Sequence, residues 1–211
     1  MTQQILEDET WDVVISTGFA GALNSTPIGS LVIGNEVLLG QPSDMLSDSE
    51  PQRILCHPDW VNTSLNIQLT GAYPLQVGRF VTLDRVLTHA SQKLILEKRT
   101  GAVAVDMESG AIGQVAHQHG LPFLIVRAIS DGIKEDLPVD FNLFLKPYGW
   151  VGGVWHVLFT PRCWKGIRRL YRNSKQAGLQ LSRFFEKFFA DISMDVSPLP
   201  PLKNRAGALN P

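Results

Sequence analysis

The sequence predicts an α/β fold in three layers, with a mixed, mostly parallel central sheet and a C-terminal helical extension. A strand–helix–strand pattern runs from 101 to 131. Such a unit is typical of parallel strands in a sheet that helices cover on both faces. Apolar runs rich in β-branched residues precede it and supply further strands. After 161 the pattern changes to a basic helix with an apolar stripe.

The first half of the chain carries strand signals separated by loop signals. The β-branched residues 12–16 predict a buried strand, and the glycine-rich residues 17–22 predict a tight loop after it. Residues 28–39 and 75–83 predict two more strands. The proline- and serine-containing residues 41–60 predict a loop with little regular structure.

The strand–helix–strand unit has the clearest boundaries. Residues 102–105 predict a buried strand, and residues 106–109 turn from it into a helix whose apolar side chains recur at helical spacing. Gly120 ends this helix as a C-cap. Residues 123–129 then predict a continuous apolar strand, interrupted only by Arg127. A charge inside an apolar strand is costly, so we expect Arg127 to have a carboxylate partner.

The C-terminal third divides into a basic amphipathic helix at 161–192 and a disordered tail at 193–211, after an α/β domain at 1–160. Two interpretations of the helix stay open: its 161–190 face lies on an anionic membrane, or its stripe packs on the core. The tail is rich in Pro, Gly and Asn. The predicted stripe consists of Trp164, Ile167, Tyr171, Ser174, Gly178, Leu181, Phe185 and Phe188.

Composition narrows the class of protein. The chain has 211 residues, 44% of them hydrophobic, which suits one domain with a sizeable core. A net charge of −1 provides no global field for nucleic acid. The chain has 2 cysteines and no signal-peptide pattern at its start, so we expect a reduced, cytoplasmic compartment. His117 and His119 point to different faces of a helix, and we predict no metal site.

Polar or glycine-rich segments follow directly on several predicted strands. They are 18–22, Asp84, 106–109 and the pair Ser130 and Asp131. Ligands of open parallel sheets bind outside the carboxyl ends of the strands. We therefore expect these segments to meet at one edge of the sheet and form a site.

Three of these segments resemble the motifs of a known superfamily, in the same order. VAVDMESGA at 103–111 resembles the ribose-binding motif of nucleoside phosphorylases and of methylthioadenosine/S-adenosylhomocysteine nucleosidases. VRAISD at 126–131 is similar to their base-binding segment, and VISTGFAGA at 14–22 to their early glycine loop. The resemblance covers residues 12–140. Within the superfamily the sequence is most similar to the hopanoid-associated phosphorylases.

The resemblance implies cleavage of the N-glycosidic bond of a purine nucleoside, with adenosylhopane as the substrate of the most similar members. One alternative is a nucleosidase for small nucleosides such as methylthioadenosine. The other is a non-catalytic remnant that binds a nucleoside. The resemblance implies no organic cofactor, with water or inorganic phosphate as the second substrate, and a homo-oligomer.

The resemblance also implies roles for individual residues. Glu108 would accept hydrogen bonds from the ribose hydroxyls and favour the cationic sugar of the transition state, and Met107 would pack against the ribose. Asp131 would protonate the purine at N7, supported by Ser130. The alternatives are structural roles without catalysis. Glu108 would be an acidic residue in the first turn of a helix, and Asp131 would be a solvated aspartate in a turn.

The early glycine segment would line the site near C1′. The N–H groups of Gly18, Ala20 and Gly21 would face phosphate or water there. Ser16 stands where family phosphorylases often carry an arginine for phosphate, which favours hydrolysis. Phe19, Val86 and Leu87 would wall the base or the sugar, with core packing as the alternative for all three.

The family pattern includes a further segment before the strand at 12–16, which contributes a first strand and part of the nucleophile side of the site. Two explanations stay open: a start assigned too late, or a true truncation. In either case we expect a central strand to be missing and sheet edges to be exposed.

Overall fold

The computed structural model describes residues 11–41, 51–69, 75–136 and 161–194, together with Thr2. The predicted tail from 195 onward, residues 137–160 of the predicted domain and part of the predicted loop (42–50) lie outside the described residues. The described elements, in chain order, are β1 (Val14–Ala22), β2 (Leu31–Leu39), β3 (Gln52–Leu55), α1 (Pro58–Leu65), β4 (Gln76–Thr82), α2 (Ala90–Thr100), β5 (Ala104–Asp106), α3 (Ser109–Gln118), β6 (Phe123–Asp131) and α4 (Pro161–Met194).

The strands form one mixed sheet, in the order β3-β2-β4-β5-β1-β6, and an additional pairing of β2 with β6 closes it into a ring. The pairings β1–β6, β2–β4 and β4–β5 are parallel. The pairings β1–β5, β2–β3 and β2–β6 are antiparallel. The sheet is therefore mixed, as the sequence predicts, and helices cover it.

Two expectations about the strands are wrong. The strand–helix–strand unit does not place its strands side by side, because β1 lies between β5 and β6 and runs parallel only to β6. The exposed sheet edge that we expected from a missing strand does not lie at β1, which pairs on both sides. The pairing of β2 with β6 closes the sheet, and closure is the arrangement that removes free edges.

Three local predictions also need correction. The predicted loop at 17–22 continues β1, and the predicted loop at 41–60 contains β3 and α1. Helix α2 was not predicted, because its buried residues are Lys93, Leu96 and Thr100, so its inward face is not an apolar stripe.

The core lies between the sheet and the helices that cover it. All nine residues of β6 are buried. Helix α4 packs Phe184 and Phe188 against this core, and the Phe188 ring lies 6.0 Å from that of Trp60 on α1. Its inward face is rotated from the predicted stripe, since Tyr171 is 70% exposed. The buried residues of α4 are Asn173, Ala177, Gln180, Phe184 and Phe188.

Candidate active site

An open cavity of about 400 Å³ lies where β1, β5 and β6 meet. Its size is in the range of small-molecule sites. The cavity brings together all ten of the predicted site residues, whose roles remain predictions: Gly18, Phe19, Ala20, Gly21, Val86, Leu87, Met107, Glu108, Ser130 and Asp131. It is also lined by residues that the sequence did not indicate as ligand-binding: Thr17, Arg85, Lys93, Val105, Asp106 and Arg127.

The glycines of β1 make room for charged side chains of β6. Gly18 lies opposite Arg127 in the strand pairing, and Gly21 lies opposite Asp131. A Cβ at residue 18 would lie 2.6 Å from Nη1 of Arg127, and one at residue 21 would lie 2.9 Å from Oδ2 of Asp131. The glycine-rich segment is thus part of a strand, and its glycines leave space for the side chains of Arg127 and Asp131. The predicted loop does not form there.

Asp106 holds the turn between β5 and α3. Its Oδ1 accepts hydrogen bonds from the backbone N–H groups of Glu108 and Ser109, each at 3.2 Å. The hydroxyl of Thr82 donates to the same oxygen at 2.6 Å, and the Ser109 hydroxyl donates to Oδ2. Since these N–H groups belong to the start of α3, Asp106 satisfies donors that a helix leaves free there. The turn places Met107 and Glu108 at the cavity.

Arg127 is the buried cation on the ribose side of the predicted site. Its Nε lies 3.2 Å from Oδ2 of Asp106, and its Nη2 lies 3.3 Å from Oε2 of Glu108. Nη2 also donates to the Ser16 hydroxyl at 2.9 Å. The expected carboxylate partner of Arg127 therefore exists within the same chain. The guanidinium orients Glu108, whose side chain is 67% exposed and open to a ligand.

Asp131 lies on the other side of the cavity and is held by two donors. The Ser130 hydroxyl donates to its Oδ1 at 2.9 Å, and the ammonium of Lys93 on α2 forms an ion pair with Oδ2. Asp131 is 9% exposed and Lys93 is 1% exposed. Asp131 is therefore held by an ammonium on one carboxylate oxygen and by a hydroxyl on the other.

The remaining walls of the cavity come from β1 and from the segment before α2. Phe19 is 44% exposed, whereas Leu87 is buried. Arg85 donates from Nε to Asp84 at 3.0 Å, and this hydrogen bond lowers the pKa of the Asp84 carboxyl. Arg85 lines the cavity.

Sequence reasoning missed Lys93 as a site residue, and it expected Asp106 near the site without giving its side chain a role. Lys93 lies on the helix that was not predicted, at the spacing of Leu96 and Thr100 on its buried face. That spacing could have indicated a site residue, because a lysine on the buried face of a helix needs a hydrogen-bonding or charged partner. Asp106 belongs to the recognised 103–111 segment, where its position two residues before Glu108 is typical of a capping carboxylate.

The described residues contain neither a candidate metal site nor a candidate membrane span. No three of their His, Cys, Asp or Glu side chains are grouped so that they could hold a metal ion. None of the helices within the described ranges is both long and apolar enough to cross a bilayer.

Comparisons with known proteins agree with this architecture. A 5′-methylthioadenosine/S-adenosylhomocysteine nucleosidase of Staphylococcus haemolyticus is 31% identical over 159 residues, which cover 68% of this chain and 67% of that protein. A nucleosidase of the same name from Shewanella sp. strain MR-7 is 31% identical over 160 residues, covering 71% and 67%.

Solved structures share the fold. The 5′-methylthioadenosine/S-adenosylhomocysteine nucleosidase of Neisseria meningitidis, in complex with methylthio-immucillin-A, superposes with a TM-score of 0.65 at 22% identity, covering 90% of this chain and 74% of that one. The futalosine hydrolase of Helicobacter pylori gives a TM-score of 0.66 at 14% identity, covering 90% and 72%. The model of the Phosphorylase superfamily matches residues 1–146. With more than half of its length matched, and with the motifs at 14–22, 103–111 and 126–131 gathered around one cavity, the chain belongs to the phosphorylase superfamily.

Proposed function

We propose that this protein cleaves the N-glycosidic bond of a 5′-substituted adenosine, in the manner of the methylthioadenosine/S-adenosylhomocysteine nucleosidases that it resembles. Family membership supports the reaction class, an enzyme that breaks the N-glycosyl bond of a nucleoside. The observation that carries the proposal is the placement of two carboxylates, Glu108 and Asp131, on one cavity together with Met107.

In this proposal Glu108 binds the ribose. A carboxylate can accept a hydrogen bond from each of the two ribose hydroxyls. Arg127 fixes the orientation of the Glu108 carboxylate through its contact with Oε2. Its negative charge also stabilises the oxocarbenium-like sugar that forms as the bond to the base breaks. Met107 supplies an adaptable apolar surface for the ribose face.

In this proposal Asp131 is the general acid that protonates the purine. Departure of an unprotonated purine would create an anion, so a proton delivered to N7 turns the base into a neutral leaving group. Ser130 fixes the carboxyl through its hydrogen bond to Oδ1. Water or inorganic phosphate attacks the sugar at C1′, and no organic cofactor takes part.

The test is adenine release from 5′-methylthioadenosine, with and without phosphate. We expect the wild type to release adenine and Asp131→Asn to lower kcat by about 10²–10⁴-fold, the usual contribution of a general acid. Asp59→Asn is the matched control, because the Asp59 carboxylate is 81% exposed and does not line the cavity. The response to phosphate separates phosphorolysis from hydrolysis.

Other outcomes would contradict the proposal. Adenine binding without release by the folded chain would identify a non-catalytic nucleoside-binding protein. Release that is equally fast in Asp131→Asn would remove Asp131 from the reaction.

A second candidate substrate is an adenosine with a large apolar 5′ substituent, such as adenosylhopane. Phe19 favours it, since this cavity residue is 44% exposed and lies beside Gly178 of α4, where a Cβ would be 3.8 Å from its ring. The outward side of α4 also exposes Tyr171, Leu179 and Phe189. A long-chain 5′-alkylthioadenosine that is cleaved with a higher kcat/KM than 5′-methylthioadenosine would support this candidate.

The same exposed side of α4 supports a peripheral contact with an anionic membrane. Apolar side chains there alternate with the basic residues Arg168, Arg172, Lys175 and Arg183, a combination that suits an interface rich in acidic lipids. Failure to co-sediment with vesicles of phosphatidylglycerol and phosphatidylcholine would exclude it.

We also propose a cytoplasmic homo-oligomer. The exposed Leu94 and Ile95 on α2 are apolar side chains that a second copy would cover. Light scattering on the purified chain gives the mass that decides between monomer and oligomer.

A further inference from the structure

Lys93 and Asp106 have the most deeply buried charged side chains described at the cavity, each 1% exposed. Lys93 projects from the inward face of α2, a helix that contributes no other residue to the cavity lining. Lysine is almost never fully buried without a partner. Its burial at this position therefore depends on the groups that its ammonium contacts.

All the contacts of the Lys93 ammonium concern Asp131 and the turn that follows it. The ammonium pairs with Oδ2 of Asp131, and it donates to the carbonyl oxygens of Gly132 at 3.0 Å and Glu135 at 3.5 Å. An ammonium has three N–H donors. The three acceptors use them all and hold Nζ against the carboxylate.

Both oxygens of the proposed acid accept hydrogen bonds. Asp131 accepts from Lys93 on one oxygen and from Ser130 on the other. In this arrangement a proton that Asp131 passes to purine N7 comes from a neighbouring donor. The one charged donor in contact with its carboxylate among the described residues is Lys93.

We propose that Lys93 supplies the proton that Asp131 passes to the purine, which makes Lys93 a positioning residue that acts through Asp131. This inference rests on the proposed function. As the C1′–N9 bond breaks, its electron pair goes to the purine. N7 then takes a proton from the Asp131 carboxyl, which has taken one from the Lys93 ammonium, and Lys93 is left as a neutral amine. The water that adds to C1′ releases a proton to the solvent, and the solvent returns one to Lys93 when the neutral purine leaves.

Other charges around this pair influence it. Glu135 follows Asp131 in the same turn, where its carboxylate accepts from the N–H of Gly132. Arg85, Asp106, Glu108 and Arg127 line the same cavity. These groups are common to the wild type and to Lys93 variants, so a difference between their pH profiles reports on Lys93 itself.

The experiment compares kcat, KM and the pH profile of kcat for Lys93→Met and Lys93→Arg with those of the wild type. We expect kcat to fall about 10²-fold or more in both variants while KM changes little, because each lacks a proton that can be transferred. Arginine keeps the charge but does not deprotonate in proteins. The pH profile of kcat should also differ between Lys93→Met and the wild type, because the variant lacks the group that would supply the proton.

The control is Lys98→Met, which removes an exposed lysine from the same helix and should leave all three quantities unchanged. Circular dichroism and adenine binding show that each variant is folded. Lys93→Arg activity close to that of the wild type would overturn the inference, because a positive charge alone would then suffice. A kcat of Lys93→Met within about twofold of the wild type would also overturn it. A wild type that releases no adenine would refute the proposed function itself, and this inference with it.

Discussion

Gly18 of β1 lies directly opposite Arg127 of β6, and a Cβ at residue 18 would be 2.6 Å from Nη1 of that arginine. Arg127 is 3% exposed, and its guanidinium is held by Asp106, Glu108 and Ser16. The φ of Gly18 is +146°, which L side chains rarely adopt. The glycine therefore fixes where the guanidinium lies, and through it where Glu108 lies.

Gly18→Ala is predicted to harm both folding and ribose binding. We expect the free energy of unfolding to fall by about 1–3 kcal/mol from backbone strain, and KM to rise because Arg127 is displaced from Glu108. Urea denaturation and steady-state kinetics measure the two effects. Gly120→Ala is the control, since Gly120 has a φ of +65° and no atom near the new Cβ. It should cost about 1 kcal/mol and leave KM unchanged. Equal KM values in the two variants would contradict the prediction.

Arg127→Met is predicted to destabilise the protein strongly. The variant leaves the buried Asp106 without its cation, and loss of one partner of a buried pair typically costs about 3–5 kcal/mol. Urea denaturation of Arg53→Met gives the comparison, because Arg53 is 61% exposed and lies 3.6 Å from its partner Glu36. That variant should lose at most about 1 kcal/mol.

A double variant checks the mechanism of this loss. Asp106→Asn combined with Arg127→Met should be less destabilised than the sum of the two single variants, because both remove the same ion pair. Simple additivity would show that Asp106 stabilises the turn before α3 independently of Arg127.

The strands were predictable where apolar residues run without interruption, as in β6. The second half of β1 was not, because its glycines are typical of a loop when taken alone. These glycines are explained by the register with β6, which places Arg127 and Asp131 opposite them. The register between distant segments cannot be predicted from local sequence. Strand order failed for the same reason: neighbouring segments of the chain suggested a parallel pair, whereas β1 lies between β5 and β6.

The site was predictable to the extent that its residues lie in recognised segments. Glu108 and Asp131 follow strands directly, which placed them at one site before the fold was known. Lys93 does not, because it comes from a helix whose inward face carries polar side chains. Its significance depends on the contact with Asp131, 38 residues away in the sequence, which only folding creates.

Glu108→Gln is predicted to weaken ribose recognition without affecting stability. The side chain is 67% exposed, so its ion pair with Arg127 contributes little to folding. A hydrogen bond to a charged group is worth about 1.5–3 kcal/mol, so kcat/KM should fall by about 10–150-fold.

The substrate decides whether ribose recognition causes this loss. A 2′-deoxy substrate should react more slowly than the ribonucleoside in the wild type, and the difference should shrink in Glu108→Gln. A variant that keeps the full preference for the 2′-hydroxyl would show that another group binds it.

Cys56 is predicted to be unreactive in the folded protein. Its side chain is 6% exposed, and burial raises the pKa of the thiol from 9.0 to about 12. At pH 8 the thiolate fraction is then lower by about 10³-fold than in the unfolded chain, and the thiolate is the reactive form. Iodoacetamide should modify Cys56 only when urea is added, which peptide mass spectrometry assigns to this residue.

The same shift makes stability depend on pH at the alkaline end. Because the pKa is higher in the folded state, the unfolded chain releases the thiol proton first as pH rises. The contribution of Cys56 is therefore complete below pH 9.0 and is lost progressively between pH 9.0 and about 12. Urea denaturation at several pH values should show a smaller alkaline loss in Cys56→Ala than in the wild type, since alanine has no proton to release. Identical alkaline losses in the two proteins would mean that the thiol does not stay protonated in the folded state.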